Sequence, residues 1–103
     1  MTSVEVEAGV CGFLTRLQAT SRAEGDVAIG GESECPRVQE YLANLGAIEV
    51  SAALGRCCIE KVFQPSTKAG LHPACPVPVG VLKAVEVAAG LALPRTVTIR
   101  FVE

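Results

Sequence analysis

Alternation of apolar and polar residues dominates the first third of the chain. Residues 3–10 read SVEVEAGV, with apolar side chains at every second position from Val4, which is the period of a half-buried strand. The segments FLTRLQAT and DVAIGGE continue this pattern, and SRAEG between them is a turn signal. We therefore predict a meander of three short strands in this region.

The period changes to that of a helix after residue 35. Pro36 suits the first helical position, and Gly46 suits the residue just past the end. A later helix is predicted from about Pro76 to Ala89, where a broad apolar stripe ends at Gly90. The apolar positions that define the first helix are Val38, Tyr41, Leu42 and Leu45.

The remaining segments complete the predicted architecture. AIEVSAALGRCCIEKVF predicts a short helix ending near Gly55 and a second helical turn, and QPSTKAGLHPA predicts a loop. RTVTIRFV alternates Val97, Ile99 and Phe101 and predicts a fourth strand. The order of strands, helices and a final strand predicts a single α+β domain over 1–103, with a three-stranded antiparallel meander plus a C-terminal strand and the helices on one face.

Composition and charge restrict the classes of function. The net charge is −2 and charged residues make up 19% of the chain; the basic residues are scattered, which argues against nucleic-acid binding. The start of the sequence, MTSVEVEAGV, is acidic where a signal peptide is basic, and no apolar run reaches the roughly 20 residues of a membrane span. We expect a cytoplasmic protein that is not an enzyme and contacts neither nucleic acid nor membrane.

Cysteine is the residue type that carries candidate chemistry. The sequence contains five, an odd number with two adjacent, which favours free thiols over a framework of structural disulfides. Each could simply be a small buried apolar residue, so packing is one alternative for all of them. The five are Cys11, Cys35, Cys57, Cys58 and Cys75.

Three cysteines occupy positions that suit ligation better than packing. Cys35 and Cys75 each precede a proline at a predicted helix start, where the helix dipole lowers a thiol's pKa. Cys11 precedes Gly12 between the first two strands, where a bend directs it off the end of the sheet. We expect these three to converge at one edge as metal ligands, with His72 as a possible further ligand and Cys57 or Cys58 able to complete the site.

The order of these residues resembles the iron-sulfur cluster scaffold proteins of the NifU N-terminal and IscU type. The matching segments are VCGFL around Cys11, IGGESECPRVQEYL around Cys35 and LHPACPVPVGVLKAVEVAAG around Cys75. Phe13 stands where that family has an Asp, and His72 is three residues before Cys75 rather than adjacent to it. The resemblance implies a two-layer α+β fold that holds an iron-sulfur cluster or zinc, with a sulfur-donor or cluster-acceptor protein as partner.

Two alternative functions remain open at this point. The CPVP motif at residues 75–78 is similar to the Cys-Pro-x-Pro of TusA-type sulfur carriers, which implies a persulfide on Cys75. The other alternative is an interaction domain without metal, in which the cysteines only pack.

Overall fold

The computed structural model describes residues 1–53, 55 and 59–103 and shows a two-layer α+β fold. The predicted fold class is confirmed, because the helices pack on one side of a four-stranded antiparallel sheet. The strands are β1 (Thr2–Glu7), β2 (Leu14–Ser21), β3 (Asp26–Ser33) and β4 (Ala47–Glu49). The helices are α1 (Pro36–Leu45), α2 (Val50–Ala53), α3 (Gln64–Lys68) and α4 (Val77–Ala88), and Ile59–Phe63 forms a π-helical turn before α3.

The sheet has the simple order β1-β2-β3-β4, with each strand antiparallel to its neighbours. In β2, Thr15, Leu17 and Ala19 are all buried, as their alternation predicts. The β2–β3 hairpin is closed by Arg22, whose guanidinium donates to both carboxylate oxygens of Asp26 at 2.8 and 2.7 Å. The predicted three-strand meander is therefore confirmed.

The fourth strand is not the one that the sequence predicts. Residues 95–103 form no strand, and the side chains of Ile99 and Phe101 are 84% and 93% exposed. The place beside β3 belongs to β4, because Gly46 adopts a φ of +60° and turns the chain back directly after α1. Ile48 then enters the core at 4% exposure, and this short return stabilises the pairing at a small cost in loop entropy.

The segment between the two long helices is more helical than predicted. The expected short helix and second turn are present as α2 and the π-helical turn, but Gln64–Lys68 is helix rather than loop. Pro65 lies in the first turn of α3, where a missing N–H costs nothing. The hydroxyl of Ser66 donates to the carbonyl of Phe63 at 2.6 Å and stabilises the start of α3.

One hydrophobic core lies between the sheet and the helices. The hydroxyl of Tyr41, which is fully buried, donates to the carbonyl of Val62 at 2.9 Å and ties α1 to the π-helical turn. None of the helices in the described ranges has the length and apolar character of a bilayer-spanning segment. The main core residues are Val6, Leu17, Ala19, Val27, Ile29, Val38, Tyr41, Leu42, Ile48, Val62, Val77, Val81, Ala84 and Val85.

Helix α4 lies unusually close to the sheet at Gly80. A Cβ atom at this position would stand 2.6 Å from Cγ2 of Val6 and 3.3 Å from Cδ1 of Leu17, closer than packed carbon atoms approach. A larger residue at position 80 would therefore require α4 or the Val6 side chain to shift, and glycine lets the helix pack at its present depth over β1 and β2. Beyond its last residue, Gly90 adopts a φ of +76° and ends the helix, as predicted.

Candidate functional site: a pocket lined by three cysteines

The four side chains that the sequence singles out as metal ligands line one pocket. Cys11, Cys35, His72 and Cys75 all border a cavity of about 300 Å³ whose remaining lining is largely apolar. They come from the β1–β2 turn, the start of α1 and the segment that leads into α4. The structure thus brings together residues that are 24 and 40 positions apart in sequence.

Cys11 lies on the exposed tip of the β1–β2 turn. Gly9 and Gly12 have φ values of +83° and +72°, which glycine adopts without steric cost. The turn is closed by hydrogen bonds from Gly12 N to Gly9 O at 2.9 Å and from Ala8 N to Phe13 O at 3.3 Å. The glycine after Cys11 therefore acts as predicted, and the thiol stands at the mouth of the pocket.

Cys35 is the N-cap residue of α1, as its position before Pro36 predicts. Its side chain makes no capping hydrogen bond, so the half-buried thiol remains available to the pocket. Its backbone N–H donates to Oγ of Ser33 at 3.1 Å, and Ser33 Oγ lies 2.7 Å from Oγ1 of Thr15. Two buried hydroxyl groups thus fix the backbone that carries Cys35.

Cys75 lies one residue before the N-cap of α4, but its environment differs from the prediction. Its side chain is 9% exposed, and burial raises the pKa of the thiol above its ordinary value of 9.0. The backbone N–H of Val77 acts in the opposite direction, and the charges of Cys11 and Cys35 raise the pKa further. The predicted lowering of the Cys75 pKa is therefore wrong, because burial outweighs the helix terminus.

Tyr41 is the buried neighbour of Cys75 on the core side. Burial raises the pKa of its phenol, and the charge of Cys75 adds to this effect. Both groups are therefore neutral at physiological pH, with acidic protons held in an apolar environment. The sequence identifies Tyr41 only as a core position of α1.

His72 and Arg37 form the polar rim of the pocket. Both are exposed, and the carbonyl of His72 accepts the backbone N–H of Cys75 at 3.0 Å across a tight turn. Arg37 donates from Nη1 to the carbonyl of Gly70 at 3.3 Å, which joins α1 to the His72 segment. Sequence reasoning missed Arg37, although the run Cys-Pro-Arg places a cation in the first turn of a helix that is preceded by a cysteine.

The pocket is a thiol cluster rather than a formed coordination site. Across residues 1–53, 55 and 59–103, no three His, Cys, Asp or Glu side chains are positioned to hold a metal ion. Cys11, Cys35 and Cys75 are free thiols. The predicted contribution of Cys57 or Cys58 lies outside the described residues.

The resemblance to the NifU and IscU scaffold proteins is wrong, because a different family matches almost the whole chain. The structure also differs from that family at His72, because this residue lies across a turn from Cys75 rather than beside it. No curated protein and no solved structure matches the sequence. The chain belongs to DUF6951, a family of unknown function that matches residues 2–101.

Proposed function

We propose that this domain binds a soft metal ion through Cys11, Cys35 and Cys75, with His72 as the fourth ligand. The observation that carries the proposal is that these four side chains, from three separate segments, line one pocket. Three thiolates and one imidazole form a common ligand set for structural zinc, and thiolates also hold iron-sulfur clusters. Zinc is the first candidate and a cluster is the second.

The pKa of Cys75 makes metal binding depend on pH. Burial and the charges of Cys11 and Cys35 raise the pKa of the Cys75 thiol, so this thiol is protonated in the metal-free protein at neutral pH. A bound metal ion would displace this proton, as metal binding to thiols generally does, and its positive charge would offset the repulsion between the three thiolates. The N–H of Val77, which favours the Cys75 thiolate, would then support the ligand.

Metal binding needs a local rearrangement of the rim. Cys35 and Cys75 stand at the starts of α1 and α4, which are fixed by the core. Cys11 and His72 are exposed and lie on turns, so they are the ligands that must move inward. The bound ion would thereby link the β1–β2 turn to both helix starts.

Packing accounts for only part of the cluster. Cys75 belongs to the core, and Cys35 packs against it, but the exposed Cys11 contributes nothing to core packing. The alternative role for Cys75 is that of a sulfur carrier. Persulfide formation on Cys75 would require its thiolate to attack an external sulfur donor. Burial disfavours this step, because it raises the pKa of the thiol and limits access to it.

The test is a metal titration of reduced, metal-free protein under anaerobic conditions. Co²⁺ is the probe, because its absorption spectrum reports thiolate ligands and tetrahedral coordination. We expect one tetrahedral ion per chain that Zn²⁺ displaces, with at least about tenfold weaker binding in Cys11→Ser, Cys35→Ser and His72→Ala. Glu40→Gln is the matched control, since Glu40 is an exposed α1 residue outside the pocket lining.

The outcomes distinguish a metal-ion site, an iron-sulfur cluster and a sulfur carrier. A tetrahedral Co²⁺ spectrum that survives Cys11→Ser and Cys35→Ser would contradict the ligand set, and Cys57→Ser with Cys58→Ser would then test the other two thiols. Iron and acid-labile sulfide after reconstitution would identify a cluster instead of zinc. Failure to bind any metal overturns the proposal, and sulfane sulfur found on Cys75 would support the carrier.

Partners and location follow from the same chemistry. Free thiols persist in a reducing compartment, so we propose the cytoplasm as the location. A protein that donates sulfur or accepts a cluster is the partner expected for a cluster site, whereas a zinc site needs none. We propose no catalytic turnover.

A further inference from the structure

The segment 96–102 has the alternating sequence of a strand, but it pairs with no strand among the residues that the structure describes. It reads TVTIRFV and places Val97, Ile99 and Phe101 on one side, with exposures of 59%, 84% and 93%. From residue 92 onward, the described chain makes a single backbone hydrogen bond, from Arg95 N to Leu93 O at 2.9 Å. An isolated amphipathic strand is not stable in water, so this segment needs a partner.

A matching edge is present on the sheet. In the described part of the chain, β1 pairs with β2 on one side and with no strand on the other. Val4 and Val6 point to the helix layer, whereas Ser3, Glu5 and Glu7 are exposed on the opposite face. The outer edge of β1 therefore offers open backbone groups with an apolar side and an acidic side.

Charge and hydrophobic pattern fix the two sides of the pairing, and the length of β1 favours one antiparallel register. With Arg100 opposite Glu5, residues 98–102 all lie opposite β1 and the cation lies diagonally from Glu7, whereas a slip of two residues that places Arg100 opposite Glu7 leaves only residues 100–102 opposite β1. Opposite charges in cross-strand positions stabilise pairing, and a slip of one residue would place Ile99 on the acidic side. The resulting pairs are Phe101 with Val4, Arg100 with Glu5, Ile99 with Val6, Thr98 with Glu7 and Val97 with Ala8.

We infer that segment 96–102 adds as a fifth strand to the free edge of β1 in a second copy of this chain. Each copy carries one such segment and one free edge, so a reciprocal exchange about a two-fold axis satisfies both at once. The exposed apolar side chains of the segment then extend the core layer beside Val4 and Val6. This inference is independent of the metal site.

The oligomeric state tests the inference. Sedimentation analysis of the full chain, with a reductant and a chelator to exclude disulfide and metal bridges, should give twice the chain mass of 10.7 kDa. Ile99→Asp should give the monomer mass with an unchanged far-UV spectrum, because Ile99 is 84% exposed in its own copy and is not part of its core. Thr98→Lys is the matched control and should remain dimeric, since Thr98 lies on the acidic side.

Hydrogen exchange locates the contact. Amides of β1 and of residues 96–102 should be protected together in the wild type and exposed together in Ile99→Asp. A wild type that is monomeric at all concentrations overturns the inference, including one whose 96–102 amides are protected because the segment pairs with its own β1. A dimer that persists in Ile99→Asp overturns it as well.

Discussion

The hydroxyl oxygens of Thr15 and Ser33 lie 2.7 Å apart beneath the cysteine pocket, and both side chains are buried. They join the ends of the two central strands, β2 and β3, to the start of α1, because Ser33 also accepts the N–H of Cys35. This pair therefore connects the core to the backbone that carries Cys35.

Ser33→Ala should destabilise the fold and loosen Cys35. The substitution leaves the Thr15 hydroxyl and the Cys35 N–H without a partner, at an expected cost of about 1–3 kcal/mol. Thr15→Ser is the control, since it keeps the hydroxyl and removes one methyl group, for about 1 kcal/mol. Urea denaturation of both variants measures the difference, and equal costs would show that the hydroxyl pair is unimportant.

Serine should be tolerated at position 11 but not at position 75. Cys75→Ser places a hydroxyl in the core, at about 1–3 kcal/mol if it is unpaired. Cys11→Ser changes an exposed turn residue and should stay within about 0.5 kcal/mol. Unfolding of the metal-free proteins tests this, and a mild effect at position 75 would mean that the pocket solvates that side chain.

Alkylation of the metal-free folded protein should modify Cys11 first and Cys75 last among the described cysteines. Cys11 is exposed, so reagent reaches it directly, whereas Cys75 is buried and its raised pKa lowers its thiolate fraction. Competitive labelling with mass spectrometry gives the order. Early modification of Cys75 would show that the segment entering α4 opens readily, and unfolded protein serves as the reference for equal access.

Stability should fall at alkaline pH. For the Cys75 thiol and the Tyr41 phenol, the folded pKa values lie above the ordinary values of 9.0 and 10.0. Above pH 9 the unfolded chain therefore releases protons that the folded chain retains, which favours unfolding until the pH passes the folded pKa. Below pH 9 these groups are protonated in both states and have no effect on the slope.

Two variants identify which group causes the loss of stability at alkaline pH. Cys75→Ala should flatten the decline that begins near pH 9, and Tyr41→Phe should flatten the decline that begins near pH 10. Tyr41→Phe also removes the hydrogen bond to Val62, so its stability at pH 7 should be lower by about 1 kcal/mol. If neither variant changes the slope of stability against pH above pH 9, other titrating groups cause the loss of stability.

Gly31→Ala should be destabilising and Gly30→Ala should not. A Cβ at Gly31 would collide with the backbone oxygen of Arg16 on β2, whereas a Cβ at Gly30 meets no atom within 4 Å. Overpacking of this kind typically costs about 1–3 kcal/mol, while alanine in an open strand position gains up to about 1 kcal/mol over glycine. Thermal melts of the two neighbouring variants compare these effects directly.

The long periodic elements could be predicted from the sequence, because the spacing of their apolar residues shows which face is buried. The alternation in β2 and the spacing of Val38, Tyr41 and Leu42 both identify the side that meets the core. The same reasoning failed at residues 95–102, because alternation shows that a strand is possible but does not show which edge it joins. Ala47–Glu49 is too short for any period, so β4 depends on the turn at Gly46.

Of the candidate site, only the cysteine positions and His72 could be predicted from the sequence. Cys11, Cys35 and Cys75 share a pocket because a strand end and two helix starts meet at one edge, which the element order already suggests. The burial of Cys75 could not be predicted, because it depends on packing against distant parts of the chain rather than on its neighbours in sequence. Arg37, Thr15 and Ser33 were missed for the same reason, as their roles are contacts between segments.

The glycine at position 80 has a thermodynamic consequence for anything bound at the pocket. Cys75 stands just before the helix whose depth over Val6 and Leu17 is set by the missing side chain of Gly80. A ligand that binds Cys75 only in the folded state would therefore also stabilise the packing of α4 against the sheet. Ligand binding should be measurable as an increase in the melting temperature of the whole domain, and a side chain at position 80 should weaken that coupling as it lifts the helix.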